Sequence, residues 1–140
     1  MKVRRNDTGF LVVLDPGDEV ITSLIRLATA ERIGEASLTG IGAVRDVVLG
    51  YIDLNQKQYI KRELGPDSME LVSLTGNLAL LKGEPFAHCH AAVSDREMRT
   101  MGGHLFSAVT TVTVEIFVHV YEGEIERKYD PNTGANPISL

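Results

Sequence analysis

The sequence has no tryptophan, a single cysteine and only four histidines among its 140 residues. The lone thiol, Cys89, excludes an intramolecular disulfide and any zinc finger built on paired thiolates, and it fits a reducing compartment. No apolar run approaches the roughly 20 residues of a membrane-spanning helix. The opening residues Met1-Lys2-Val3-Arg4-Arg5-Asn6-Asp7 lack the apolar stretch of an export signal. A cytoplasmic location, away from membranes, is expected. Cations are also in short supply: 14 Lys+Arg stand against 19 Asp+Glu, a net charge of -5, the wrong sign for a domain that grips a phosphate backbone. Gly-x-Ser-x-Gly and Gly-Lys-Ser/Thr are both missing. Gly40-Ile41-Gly42 lacks the third glycine of a dinucleotide loop and leads into a strand pattern, so nucleotide binding there is excluded.

What is present is ordinary globular composition, 44% apolar and 24% charged. A chain of this length forms one domain, residues 1-140, and buries roughly two-thirds of its unfolded surface without a structural metal. Any metal is then functional. Thr8 to Leu14 reads as a strand closed by Asp15-Pro16-Gly17. Val20, Ile21, Leu24, Ile25, Leu27 and Ala28 then recur at helical spacing, with Asp18 as N-cap and Gly34 beyond the last periodic residue, Ile33. Strands are predicted at Val44 to Ile52, Gln58 to Leu64, Met69 to Leu81 with Gly76 as a bulge or close approach, Phe86 to Val93, Val109 to Tyr121 and Glu124 to Tyr129. Ser94 to Gly103 reads as a polar loop, and residues 130-140 as an irregular tail. The fold class is α+β: a mainly antiparallel sheet with one principal N-terminal helix packed on it.

Three of the four histidines fall between His88 and His104. On a strand, His88 and His90 share one face while Cys89 points away, which is metal-ligand spacing. A return of the chain after Gly102-Gly103 brings His104 beside them. Three neutral imidazoles with a fourth position open are how a catalytic or ligand-binding zinc site is built. A His-x-His pair alone also arises by chance, and the added Gly-Gly-His sets this one apart. His119 lies in Glu115-Ile116-Phe117-Val118-His119-Val120-Tyr121 and reads as a core or interface histidine. Glu115 shares its face within an apolar run, where a carboxylate must be paired or shift its pKa. Two readings of Glu115 stand: an acid/base or support for the metal site, or a rim salt bridge with Arg45 or Arg99.

Phe86-Ala87-His88-Cys89-His90-Ala91-Ala92-Val93-Ser94-Asp95 together with Gly102-Gly103-His104-Leu105 resemble the signature of the PPC family, the plants and prokaryotes conserved domain. Gly9-Phe10-Leu11-Val12-Val13, Leu38-Thr39-Gly40-Ile41-Gly42-Ala43, Met69 to Asn77 and Val114-Glu115-Ile116 follow in that family's order. The resemblance implies a stand-alone prokaryotic member that assembles as a homotrimer, with a divalent metal, most simply zinc, on His88, His90 and His104. The family is commonly labelled DNA-binding, largely through plant members with an AT-hook, yet no Arg-Gly-Arg-Pro occurs here. The fold is also similar to that of acetolactate decarboxylase, a zinc enzyme with three histidines. The functional expectation is a homo-oligomeric metal-binding module. The alternatives are a metal-dependent small-molecule lyase or hydrolase with Glu115 as acid/base, and a DNA-binding regulator.

Overall fold

Alternation of apolar and polar residues writes most of this chain into strands. The computed structural model describes residues 1-140. In chain order the elements are β1 (Lys2–Asn6), β2 (Gly9–Leu14), α1 (Val20–Glu31), β3 (Ala36–Asp53), β4 (Gln58–Leu64), β5 (Met69–Leu81), β6 (Glu84–Ser94), β7 (Thr100–Val120), β8 (Glu126–Arg127) and β9 (Ile138–Ser139). All pairings are antiparallel except β5 with β8. β3 pairs with β5 and β7, and β6 pairs with the other edges of both, so the circuit β3–β5–β6–β7 closes on itself. The sheet therefore curls around its core, and its long strands expose few edges.

Helix α1 closes the open side of that curl. Val20, Leu24, Leu27 and Ala28 recur every three or four residues and bury one stripe. That stripe joins Leu14, Leu38, Leu74, Leu78, Cys89, Val93 and Ile116 in one apolar cluster. The predicted N-cap shifts by one residue. Glu19 caps the helix, accepting from the Ile21 and Thr22 amides and also from the Ala108 amide on β7. Asp18 is drawn off instead by the Asp15 amide and the Met1 amino group. The helix stops earlier than predicted, at Arg32 in the left-handed region, where the Ile33 amide returns to the Ala28 carbonyl.

Four strands differ from the sequence reading; one, predicted over Glu124 to Tyr129, is only the two residues of β8. β1 carries three cations in its five residues, Lys2, Arg4 and Arg5, and every residue is exposed, so no apolar pattern marked it. β3 runs 18 residues because register shifts, at Gly40/Gly42 against β5 and from Gly42/Val44 onward against β7, let it bend without breaking, where the glycines suggested an interruption. β7 begins at Thr100, inside the predicted loop, so the true β6–β7 turn is only residues 95–99. There the Asp95 carboxylate accepts from the Glu97 and Arg99 amides. The C-terminal segment is more ordered than an irregular tail. Asp130 and Ala135 bridge, β9 pairs with β8, and the Lys57 ammonium donates to the Pro131 carbonyl at 2.9 Å. No helix is long and apolar enough to cross a membrane.

Candidate metal centre

The short β6–β7 turn fixes the site. With Ser94 opposite Thr100, the antiparallel register sets His90 directly opposite His104, and His88 becomes its diagonal neighbour on the same face. The alternate residues Ala87, Cys89, Ala91 and Val93 go into the core. Imidazole centroids are 5.3 Å apart for His88–His90, 5.0 Å for His88–His104 and 5.5 Å for His90–His104. One nitrogen from each ring lies within 4.8 Å of the others.

Two glycines let the strands come this close. Gly76 on β5 lies opposite Cys89, and a Cβ there would fall 2.2 Å from the His88 carbonyl oxygen. Gly50 on β3 faces His104, and a Cβ there would strike Phe106 at 2.4 Å. The space Gly50 leaves is filled by Phe106 and Tyr59, whose rings lie 4.6 and 4.8 Å from that of His104. Together they hold the imidazole in place.

On the other flank stands Arg127 of β8, only 4% exposed. Its guanidinium donates to Asn77 Oδ1 at 2.7 Å, to the Asn136 carbonyl at 2.8 Å and to His88 Nδ1 at 3.1 Å. None of these partners carries negative charge. Arg127 Nε and His104 Nδ1 are buried without any partner. His88, His104 and Arg127 line a cavity of about 610 Å³ walled by Ile52, Leu54, Tyr59, Phe86, Phe106 and the segment from Thr133 to Pro137.

Burial holds His88 and His104 neutral, pushing each down from 6.5 to about 4. Arg127 adds to the effect at His88, and the other two histidines add to it at His104. Burial also pushes the Cys89 thiol up to about 12, so the residue between the ligand candidates is an inert core side chain. Around a tetrahedral ion, with bonds of about 2.0–2.1 Å, donor nitrogens lie roughly 3.3 Å apart. The cluster is looser than that by an amount that rotation of the imidazole rings can close. An orphaned imidazole nitrogen in an all-histidine donor set, with no competing protein carboxylate among the three, fits a borderline-soft divalent ion.

The remaining sequence candidates lie elsewhere. Glu115 is exposed on β7, opposite Val13 and Ile41, eleven positions along the strand from His104. At 3.2–3.4 Å per residue that is a path of roughly 35 Å. The burial assumed for its carboxylate is absent, because β7 turns Val114, Ile116 and Val118 to the core instead. Arg45 and Arg99 pair with Asp46 and with Asp95 and Glu97, not with Glu115. His119 is likewise exposed, its ring 4.8 Å from Tyr121. Tyr59, Asn77, Phe106 and Arg127 went unnoticed in the sequence. Arg127 lies in the predicted strand Glu124 to Tyr129, where charged neighbours surround it and nothing local marks it as buried.

Residues 1–122 match the profile of the Plants and Prokaryotes Conserved (PCC) domain. The chain belongs to the PCC domain family. Among solved structures, this PCC chain is similar to a metal-containing protein from Archaeoglobus fulgidus, with 36% identity over 100% of both chains and a TM-score of 0.87. It is also similar to a Ralstonia eutropha JMP134 protein that carries a provisional DNA-binding name. That identity is 33%, over 99% of this chain and 96% of the other, with a TM-score of 0.90. Acetolactate decarboxylase from Bacillus subtilis shares the fold alone, at 12% identity and a TM-score of 0.54 over 91% of this chain and 58% of that one. None of the curated proteins matches the PCC chain significantly in sequence.

Proposed function

We propose that this PCC-family chain is a metal-binding module in which His88, His90 and His104 hold one divalent ion, zinc by the nature of the donors. The convergence of three imidazoles, one with a buried unpartnered nitrogen, carries this reading. The metal-containing name of the Archaeoglobus fulgidus relative supports it. A zinc ion with an open position polarises a carbonyl or lowers the pKa of a bound water. The chain's own residues do the rest: Tyr59 and Phe106 fix His104, Arg127 and Asn77 flank His88, and the apolar walls limit water. Chelator competition tests the reading. His104→Ala should lower zinc affinity by at least roughly 10-fold, and an unchanged affinity would refute it.

Glu115 lies too far from this cluster within one chain, so an acid/base part for it requires a second copy to bring it there. Self-association belongs to the proposal. Ile41 (59% exposed), Val72, Val112 and Phe117 (57% exposed) stand out on the sheet exterior, and the occupant we assign to that face is another copy of this chain, as a homotrimer. Light scattering at micromolar concentration tests this, and a mass near 15 kDa would overturn it. The buried lone thiol suits a reducing cytoplasm.

A DNA-binding reading draws on the Ralstonia eutropha relative's name. The charges favour it less. Arg5, Arg96 and Arg99 are engaged by Glu31, Glu97 and Asp95, and with every cation counted the chain still carries a net -5. A mobility-shift titration at about 150 mM salt should show affinity no tighter than the 10⁻⁴–10⁻⁶ M of generic contact. Nanomolar, sequence-selective retention would establish the DNA reading instead.

A further inference from the structure

Arg127 is a buried cation with no anion. Its partners are an amide oxygen, a carbonyl and an imidazole nitrogen, all neutral. A guanidinium this deeply buried is ordinarily matched by a carboxylate or phosphate. The one carboxylate lining the cavity, Asp130, is half-buried at the rim and committed to its own turn, accepting from the Asn132 amide and the Thr133 hydroxyl. The nearby lysines add positive charge: Lys61 lies 3.9 Å over the Phe106 ring, and Lys57 reaches Pro131. A divalent ion on the three histidines would make the site more cationic still.

Hydrogen-bond accounting sharpens this. Of five guanidinium N–H groups, one Nη1–H and both Nη2–H groups are engaged, and Nε–H is buried and unpartnered. In the metal-free chain His88 Nδ1 accepts from Nη2. A neutral imidazole has a single lone pair, which metal ligation uses. Bound through either nitrogen, His88 can no longer accept from Arg127. The donor so released is on Nη2, the terminal nitrogen that shares an edge of the guanidinium with the orphan Nε–H, and that edge is a fork that matches a carboxylate.

Resting on the metal reading above, we infer that the cavity binds a small organic carboxylate, its acid group on the Nε/Nη2 edge of Arg127 and its apolar body against Tyr59, Phe86 and Phe106, and that metal loading opens this fork. The cavity, at about 610 Å³, is of ligand size, with apolar walls and few polar groups. Metal and carboxylate then bind with positive coupling, because the first removes the contact that occupies the second's donor.

Calorimetry with benzoate and its neutral isostere benzamide tests this on the full chain. The zinc-loaded protein should bind benzoate and discriminate against benzamide. Chelator-treated protein, and Arg127→Gln compared at matched zinc occupancy, should each bind benzoate about 10- to 100-fold more weakly. Should Arg127→Gln fail to fold, the unmutated chain labelled with ¹⁵N-arginine decides: the Arg127 Nε–H resonance should move with benzoate and stay fixed with benzamide. Equal binding of the two probes, an unmoved Nε–H signal, or undiminished affinity in folded Arg127→Gln would overturn the carboxylate site while leaving the metal reading intact. Failure of the unmutated protein to take up zinc would overturn both.

Discussion

Replacing Gly76 by alanine tests whether the close approach of β5 to β6 sets the geometry of the histidine cluster. The added Cβ would lie 2.2 Å from the His88 carbonyl oxygen, 2.9 Å from Cys89 Cα and 3.1 Å from Cys89 Sγ. The nearest two are backbone atoms that cannot swing aside, so β6 itself must retreat by about 1 Å to restore van der Waals contact. That strand is paired on both edges, with β5 and with β7, and its Cys89 is fully buried. Overpacking of this kind costs about 3 kcal/mol, the upper part of its usual range, because nothing flexible yields. Alanine returns roughly 0.5–1 kcal/mol by reducing the backbone freedom of the unfolded chain. Strain wins, for a net loss of about 2 kcal/mol and a fall of roughly 8 °C in melting temperature for a domain of this size. The displaced carbonyl is that of His88 itself, and His90 lies two residues on, so zinc affinity should fall as well. Thermal melts followed by circular dichroism, paired with zinc titration, measure both effects. A melting temperature within about 1 °C of the parent, with unchanged zinc uptake, would show that the strand approach is not what shapes the cluster.

Metal-free protein should lose stability as pH falls from about 6.5 toward 4. His88 and His104 titrate near 4 when folded and near 6.5 when unfolded. Between those values the unfolded chain binds more protons, so the contribution is complete above 6.5 and gone once both have protonated. Allowing for their partial exposure, the loss is roughly 3 kcal/mol for the pair, and urea melts at pH 7.5 and 4.5 that agree would contradict it. Glu19→Ala removes the cap of α1 and the acceptor of the Ala108 amide, and should cost about 1–2 kcal/mol in chemical denaturation. Glu115→Gln should leave zinc content unchanged and shift stability by less than about 0.5 kcal/mol, as elemental analysis and denaturation would show, because its side chain is exposed.

The strand pattern was legible wherever one face is buried and the other wet. Met69–Leu81 matches its expected bounds because Leu71, Leu74 and Leu78 mark the core side. His88, His90 and His104 could be grouped because period-2 geometry and a short hairpin convert sequence spacing into spatial contact. Charged β1 and the glycine-punctuated start of β3 were hidden, since long-range pairing rather than local propensity holds them in the sheet. Burial of Glu115 was misjudged for a related reason: in a curled sheet with one wet face, an apolar run need not bury every member. Arg127 reaches His88 across a parallel pairing of only two residues, Leu80 with Glu126 and Leu81 with Arg127, which no local pattern announces. That contact was beyond reach of a reading by periodicity.

The metal assignment is tested most directly by elemental analysis of tag-free protein after zinc loading and mild dialysis, comparing the parent with the His88→Ala, His90→Ala double variant. The parent should retain about one zinc per chain, the stoichiometry of a three-imidazole site, and the folded variant close to none. Equal zinc in both proteins, or none in the parent, would contradict the assignment of His88, His90 and His104 as a metal centre.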